Sequence, residues 1–337
     1  MTTGLIIGKF LPPHLGHLHL IEQARRRVDR LTVLVCSLRA EPIPGALRHR
    51  WVQELCPGVD VQHCPDENPS YPHEHPDFWD FWVRSIRRFV PHGPDVVFSS
   101  EAYGDELARR LGAGRHDLID LGRSTYPVSG TAVRARPFEH WALIPAPVRA
   151  YYTRKVTLVG AESTGKTTLA AQLAAALNTT WTEEYGRLYV EQVRAVTEHD
   201  DLRRIADGQA ALEAAGLRQA NRLLICDTDL LATIIWHERY FGACPDYLHA
   251  LYADRHSHLY LLCAADLPWV ADGYRDSGDD WRPWFESRFV DELEARGLPY
   301  VRISGAYEQR LEQALAAIRR AFPEAVRLMR ERARDAA

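Results

Sequence analysis

Two short patterns in the chain combine residue types suited to holding phosphate. The first is Gly160-x4-Gly165-Lys166-Thr167, directly after the apolar run Val156-Thr157-Leu158-Val159. Its glycines permit a tight turn that aims backbone N–H groups at phosphate oxygens. Lys166 is positioned to reach β- and γ-phosphates, and Thr167 offers a hydroxyl to Mg²⁺. Glu162, Ser163 and Thr164 complete the loop, and Thr168 follows it on the helix that the loop opens. The second pattern is Gly8-Lys9-Phe10 followed by His14-x-Gly16-His17, after Leu5-Ile6-Ile7. Here two imidazoles and an ammonium group gather at a helix N-terminus. Donors placed in that way stabilise charge around an α-phosphorus without a covalent intermediate.

Further residues extend both patterns. Ser129-Gly130-Thr131 opens a short helix with Arg134 one turn inside, a second anion site of N–H groups, hydroxyls and guanidinium. The same residues also suit a plain capping turn. Leu223-Leu224-Ile225-Cys226-Asp227 is an apolar strand ending in a carboxylate. Asp227 is the expected general base or metal-shell acid, with Thr167 as the other metal ligand. Asp229 is the second choice, or simply the N-cap of the next helix. Trp269, Asp272, Tyr274 and Arg275 form an expected lid, with Arg275 over the transferring phosphoryl group and the two aromatics against a planar base. Trp82, on a helix with Trp79 and Phe81, is either core packing or a stacking surface. Three histidines and Cys64 between residues 63 and 75 lack ligand-pair spacing, and Pro65, Pro69, Pro72 and Pro76 run through the stretch from Cys64 to Asp77, so a loop is expected there and not a metal centre.

These groups need elements to hold them. Apolar strands alternate with helical patterns throughout, which predicts an α/β fold with two doubly wound parallel sheets. Pro145 and Pro147 break the pattern, so the expected domains are 1–150 and 151–337. At 337 residues each half can bury its own core. A net charge of −4 gives no global basic field, which argues against a nucleic-acid partner. No run approaches the roughly 20 apolar residues of a membrane span. Six scattered cysteines without a C-x-x-C pair suit a reduced cytoplasm.

Taken together, the motifs resemble those of the NadR-type bifunctional enzymes, in which a nicotinamide mononucleotide (NMN) adenylyltransferase is joined to a ribosylnicotinamide kinase. The likeness rests on Gly8-Lys9-Phe10 with His14-Leu15-Gly16-His17, Ser99-Ser100-Glu101-Ala102-Tyr103-Gly104 and Val128-Ser129-Gly130-Thr131-Ala132-Val133-Arg134. In the second half it rests on the glycine-lysine loop, Glu183-Glu184-Tyr185-Gly186-Arg187, Cys226-Asp227-Thr228-Asp229 and the Trp269–Arg275 stretch. The resemblance implies a nucleotidyltransferase Rossmann-like domain followed by a P-loop kinase domain. It implies ATP and Mg²⁺ as cofactors, with nicotinamide riboside, NMN and product NAD as partners. It places Glu101 and Tyr103 at the first substrate, and Glu184, Tyr185, Arg187 and Asp229 around the riboside. Some family members begin with a helix-turn-helix repressor domain. With the first strand starting at Leu5, DNA binding is not expected to carry over. Two other readings stay open: a pantetheine-phosphate-type adenylyltransferase fused to another nucleoside kinase, and a nucleotide sensor. A homo-oligomer is compatible with all three.

Overall fold

The computed structural model describes residues 1–193, 198–270 and 279–335. Its contacts divide the chain into two compact units, Met1–Val148 and Arg149–Ala337.

In the first unit, β1 (Thr3–Gly8), α1 (Leu15–Arg25), β2 (Arg30–Cys36), α2 (Gly45–Leu55) and β3 (Asp60–Cys64) come first. Then follow α3 (Phe78–Arg87), β4 (Val96–Ser99), α4 (Gly104–Leu111), β5 (Arg115–Leu118), α5 (Gly130–Ala135) and α6 (Ala146–Tyr152), whose first turn ends the unit. The sheet order is β3-β2-β1-β4-β5, all parallel. Parallel strands joined through helices bury both faces, which is why β2 reads as a continuous apolar run from Leu31 to Cys36. Ile6, Val33, Val35, Val96 and Phe98 pack against Leu20, Ile21 and Ala24 of α1 on one face. Leu5, Leu34 and Val97 pack against Ile86 of α3 and Leu107 of α4 on the other.

The second unit repeats this plan. It runs β6 (Arg154–Val159), α7 (Lys166–Ala176), β7 (Trp181–Thr182), α8 (Tyr185–Val193), α9 (His199–Gln219), β8 (Leu223–Asp227) and α10 (Leu230–Phe241). It continues with α11 (Asp246–Ala253), β9 (Leu259–Cys263), α12 (Arg282–Ala295), β10 (Tyr300–Ile303), α13 (Tyr307–Ala321) and α14 (Pro323–Asp335). The order β10-β9-β6-β8-β7 is again all parallel. In each unit the first strand lies in the centre, flanked by strands on both sides. The loop that leaves its carboxyl end therefore opens at the middle of the sheet edge, where α/β proteins bind ligands.

Three local features depart from the sequence reading. The pairing adds two edge strands, β3 and β7, that the apolar pattern did not mark. The strand expected at 117–121 lies two to three residues earlier, at Arg115–Leu118. The single helix expected from 307 to 334 is two, broken at Phe322 (φ −134°, ψ 58°), because Pro323 has no N–H to continue the first and instead starts the second.

Candidate nucleotide sites

In the first unit, the carboxyl ends of β1 and β4 open into a cavity of about 600 Å³. Every residue that the sequence singled out in this half lines it: Gly8, Lys9, Phe10, His14, Gly16, His17, Trp82, Glu101, Tyr103, Ser129, Gly130, Thr131 and Arg134. The loop after β1 is held from two directions. Phe10 has a left-handed backbone (φ 45°) with its ring buried in the core beneath Gly8. From far along the chain, the Arg134 guanidinium donates to the Leu11 carbonyl and to Thr131 Oγ1 at 3.2 Å. Gly130 is required where α5 meets this loop, since a Cβ there would run into the Leu11 carbonyl oxygen. Ser129 Oγ accepts from the Ala132 N–H at 3.1 Å, so this hydroxyl is spent as the α5 cap.

The two histidines stack, with ring centroids 3.7 Å apart. The His14 N–H donates to His17 Nδ1 at 3.3 Å, which leaves His17 Nε2 to carry the proton and face a ligand as donor. His14 Nδ1 is buried without a hydrogen-bond partner. Burial, and then the charge of Arg123, lowers His14 to about 4. Burial, then His14, then Arg123 holds His17 well below the ordinary imidazole range. Both rings are thus neutral donors at pH 7, not the cations that two histidines beside a triphosphate would suggest. Lys9, half-exposed, pairs with Glu41 at 3.0 Å and donates to Ser70 Oγ at 2.9 Å. Lys9 is the exposed partner of this pair and Glu41 the buried one, so the ammonium stays within reach of the cavity that it lines.

The depressed imidazoles make stability depend on pH. In the unfolded chain an imidazole protonates near 6.5, whereas folded His14 resists until about 4. The stability that this group contributes is complete above pH 6.5 and is lost as pH falls from 6.5 towards 4. NMR titration should find His14 titrating near 4 without nucleotide and moving upward when ATP is added. A His14 signal titrating at 6.5 in the folded, nucleotide-free protein would remove this account.

Arg123 escaped the sequence reading. It lines the cavity, pairs with Glu101 at 3.5 Å, and acts on both histidines. Its turn is fixed by Asp120, which accepts from Ser124 N–H and Oγ–H at 2.8 Å and from Thr125 N–H at 3.2 Å. The signal was a basic residue just ahead of the Ser-Gly-Thr segment. Trp82 lines the cavity with its Nε1–H donating to the Pro69 carbonyl at 2.9 Å.

In the second unit, the loop after β6 has the backbone its glycines predicted. Gly160 (φ 136°) and Gly165 (φ 77°) lie in the left-handed region, and a Cβ on Gly160 would sit 2.5 Å from the Cys263 carbonyl oxygen. Lys166 Nζ lies back on the loop, donating to the carbonyls of Gly160 at 3.0 Å and Ala161 at 2.7 Å. Thr167 Oγ1 donates to Asp227 Oδ2 at 2.5 Å. Asp227 Oδ1 is buried without a partner. Burial, reinforced by Glu184 and opposed by Lys166, Thr167 and Arg187, raises this carboxyl to about 6. A buried oxygen with no partner beside a threonine hydroxyl is a hard donor set suited to a divalent cation shared with phosphate. Ser163 Oγ donates to the Val270 carbonyl at 2.9 Å, which ties the loop tip to the segment leading to residue 271.

The remaining expectations divide. Asp229 turns away from the loop: its carboxylate caps α10 through Leu231 N–H at 3.0 Å and accepts the Tyr260 O–H at 2.8 Å, fully buried. The left-handed Thr228 (φ 66°) makes that turn, and leaves Asp227 as the carboxylate at the loop. Tyr185 lays its ring over Gly208 of α9 and packs with Tyr189, Leu202 and Ile205, and it does not line the crevice beside Glu184. Glu184 does line a crevice, of about 60 Å³, with Gln209, Thr228, Trp236 and Tyr240 among its walls. Trp236 and Tyr240 stack at 5.4 Å, one helical turn apart on α10; that spacing was visible in the sequence and was not used. Trp269 is 36% exposed. Asp272, Tyr274 and Arg275 lie outside the described residues. Thr168 follows Thr167 in the first turn of α7.

Two α/β units, each with a phosphate loop leaving its central strand, define a fused nucleotidyltransferase-like and P-loop kinase-like chain. Residues 5–42 match the cytidylyltransferase-like family, and residues 155–310 match the AAA domain family. The chain is 30% identical to the trifunctional NAD biosynthesis/regulator protein NadR of Escherichia coli (strain K12), over 96% of this chain and 84% of that protein. It belongs to the NadR family. The first unit is also similar to the nicotinamide-nucleotide adenylyltransferase of Methanosarcina barkeri (strain Fusaro), 28% identical over 44% of this chain and 86% of that protein. A crystal structure of NadR protein in complex with NR superimposes with a TM-score of 0.78 at 24% identity, covering 95% of this chain and 96% of that one. Another, in complex with NAD and AMP-PNP, gives 0.76 at 23%, with the same coverage.

Proposed function

We propose that this chain converts nicotinamide riboside to NAD in two ATP-dependent steps, one on each unit. The two units are the two functional domains on this reading. The observation that carries it is the pairing of distinct phosphate loops with distinct chemistry: neutral donors and guanidinium groups around a wide cavity in one unit, lysine, threonine and a buried carboxylate in the other.

In the second unit, Lys166 exchanges its loop carbonyls for β- and γ-phosphate oxygens. Asp227 and Thr167 would hold Mg²⁺, which would supply positive charge against the phosphates. The same carboxylate would also orient the riboside 5′-hydroxyl as that oxygen attacks the γ-phosphorus. The enclosed crevice is far below the ~300 Å³ of an ordinary ligand pocket. Trp236 and Tyr240 would therefore hold one edge of the planar base while the ribose lies at the open mouth beside Glu184. In the first unit, the NMN phosphate attacks the α-phosphorus of ATP and pyrophosphate leaves. Lys9, Arg123 and Arg134 offset the charge on the triphosphate, and the neutral rings of His14 and His17 offer it hydrogen bonds. No helix among the described residues is long and apolar enough to cross a membrane. We assign the activity to the cytoplasm, where ATP is supplied.

The test is direct. Protein incubated with ATP, Mg²⁺ and nicotinamide riboside should form NMN and then NAD, and excess chelator should stop phosphorylation. Bound nucleotide with neither product would favour the sensor reading instead.

A further inference from the structure

Each phosphate loop rests on one arginine that solvent does not reach. Arg48 on α2 is 0% exposed and Arg310 on α13 is 1% exposed. Arg48 Nε donates to the Ile43 carbonyl at 3.0 Å, and its terminal nitrogens donate to the carbonyls of Lys9 and Cys36 and to the Glu41 carboxylate. Those acceptors come from the first phosphate loop, the end of β2 and the β2–α2 connection. Arg310 Nε donates to the Gly305 carbonyl at 2.7 Å. Its terminal nitrogens reach the carbonyls of Thr164 at 3.0 Å and Ala264 at 3.1 Å, and the Asp266 carboxylate. These acceptors come from the second phosphate loop, the stretch after β9 and the turn after β10. Asp266 also accepts the Gly305 N–H at 2.7 Å.

The arrangement is costly as a device for stability alone. Burying a guanidinium forfeits its hydration, and an apolar side chain of similar volume often serves a core as well or better. What the planar fork adds is register. It fixes several chain segments at once, in a geometry that a lysine's single ammonium does not reproduce. Drawing loop carbonyls inward also helps leave N–H groups of the same loop for an anion.

The geometry points to Arg48 and Arg310 as positioning residues. Arg48 sets the nucleotide-binding shape of the adenylyl-transfer site, and Arg310 does so for the phosphorylation site. Each acts on ATP affinity through its own loop without touching the reacting atoms. This inference rests on the two-reaction reading of the chain.

The experiment uses the full chain with Arg48→Lys, Arg48→Met, Arg310→Lys and Arg310→Met, each assayed for both reactions. Arg310→Met should raise the KM for ATP in riboside phosphorylation about tenfold or more, change kcat less than about threefold, and leave NMN adenylylation at the wild-type rate. Arg48→Met should do the converse. The lysine variants should fall in between, since they keep the charge and lose the fork. The untouched reaction reports only on the other unit, so folding of the altered unit is read from circular dichroism and thermal unfolding, which should match the wild type. An unchanged KM with kcat falling alongside Tm would make the arginine structural only and overturn the inference, as would equal damage to both reactions. If the wild-type chain makes neither NMN nor NAD, the two-reaction reading fails. The arginines are then judged by AMP-PNP binding in calorimetry, which each methionine variant should weaken at one site and which unchanged binding would refute.

Discussion

Lys166→Ala is expected to reduce riboside phosphorylation by at least ~10²-fold in kcat while NMN adenylylation by the same chain stays within about twofold. The size follows from where the ammonium goes. Lys166 is buried and, among the described residues, donates to the carbonyls of Gly160 and Ala161. On the proposed reading it meets, in the transition state, the charge spreading over the γ-phosphoryl oxygens. Alanine leaves that charge to the backbone N–H groups and the metal. The selectivity follows from the fold: the loop belongs wholly to the second unit, and every group placed at the first cavity lies before residue 149. Separate assays with nicotinamide riboside and with NMN read the two effects. Loss of both activities in a folded variant would count against independent sites.

His17→Ala is expected to show the opposite selectivity, with NAD formation from NMN falling about 10²-fold and phosphorylation unaffected. The His17 ring is fixed by stacking on His14 and by accepting the His14 N–H, so its remaining N–H is aimed without further ordering. A donor held in advance is worth more than a flexible one, because no reorganisation accompanies the reaction. Since the ring is neutral, the loss should vary little between pH 6 and 8. A defect that appeared only below pH 6.5 would mean that a protonated His17 does the work. Undiminished NAD formation would remove His17 from the site.

The fold was legible where local signals agree. Strands such as Leu223–Asp227 and Leu259–Cys263 are buried on both faces and read as continuous apolar runs. The edge strands are different. Asp60-Val61-Gln62-His63-Cys64 and Trp181-Thr182 have one unpaired side and carry polar residues, so pairing with a neighbour defines them more than composition does. The phosphate loops were legible because glycine, lysine and hydroxyl positions are dictated within a few residues. Arg48 and Arg310 were not: their importance comes from contacts with other chain segments, and an arginine in a helix looks like any solvated residue. Asp229 shows the limit from the other side. Its position two residues past Asp227 suggested a shared site, and one left-handed residue between them sends its carboxylate the opposite way.

The bond from Arg134 to the Leu11 carbonyl joins residues 123 positions apart. A first unit without the residues from Gly130 onward would keep β1 to β5, yet its loop after β1 would lack the guanidinium and the α5 backbone that pack against it. Such a unit would carry the whole sheet and still hold triphosphate poorly. The shape of the loop after the first strand thus depends on the last helices of the unit as well as on the motif that opens it.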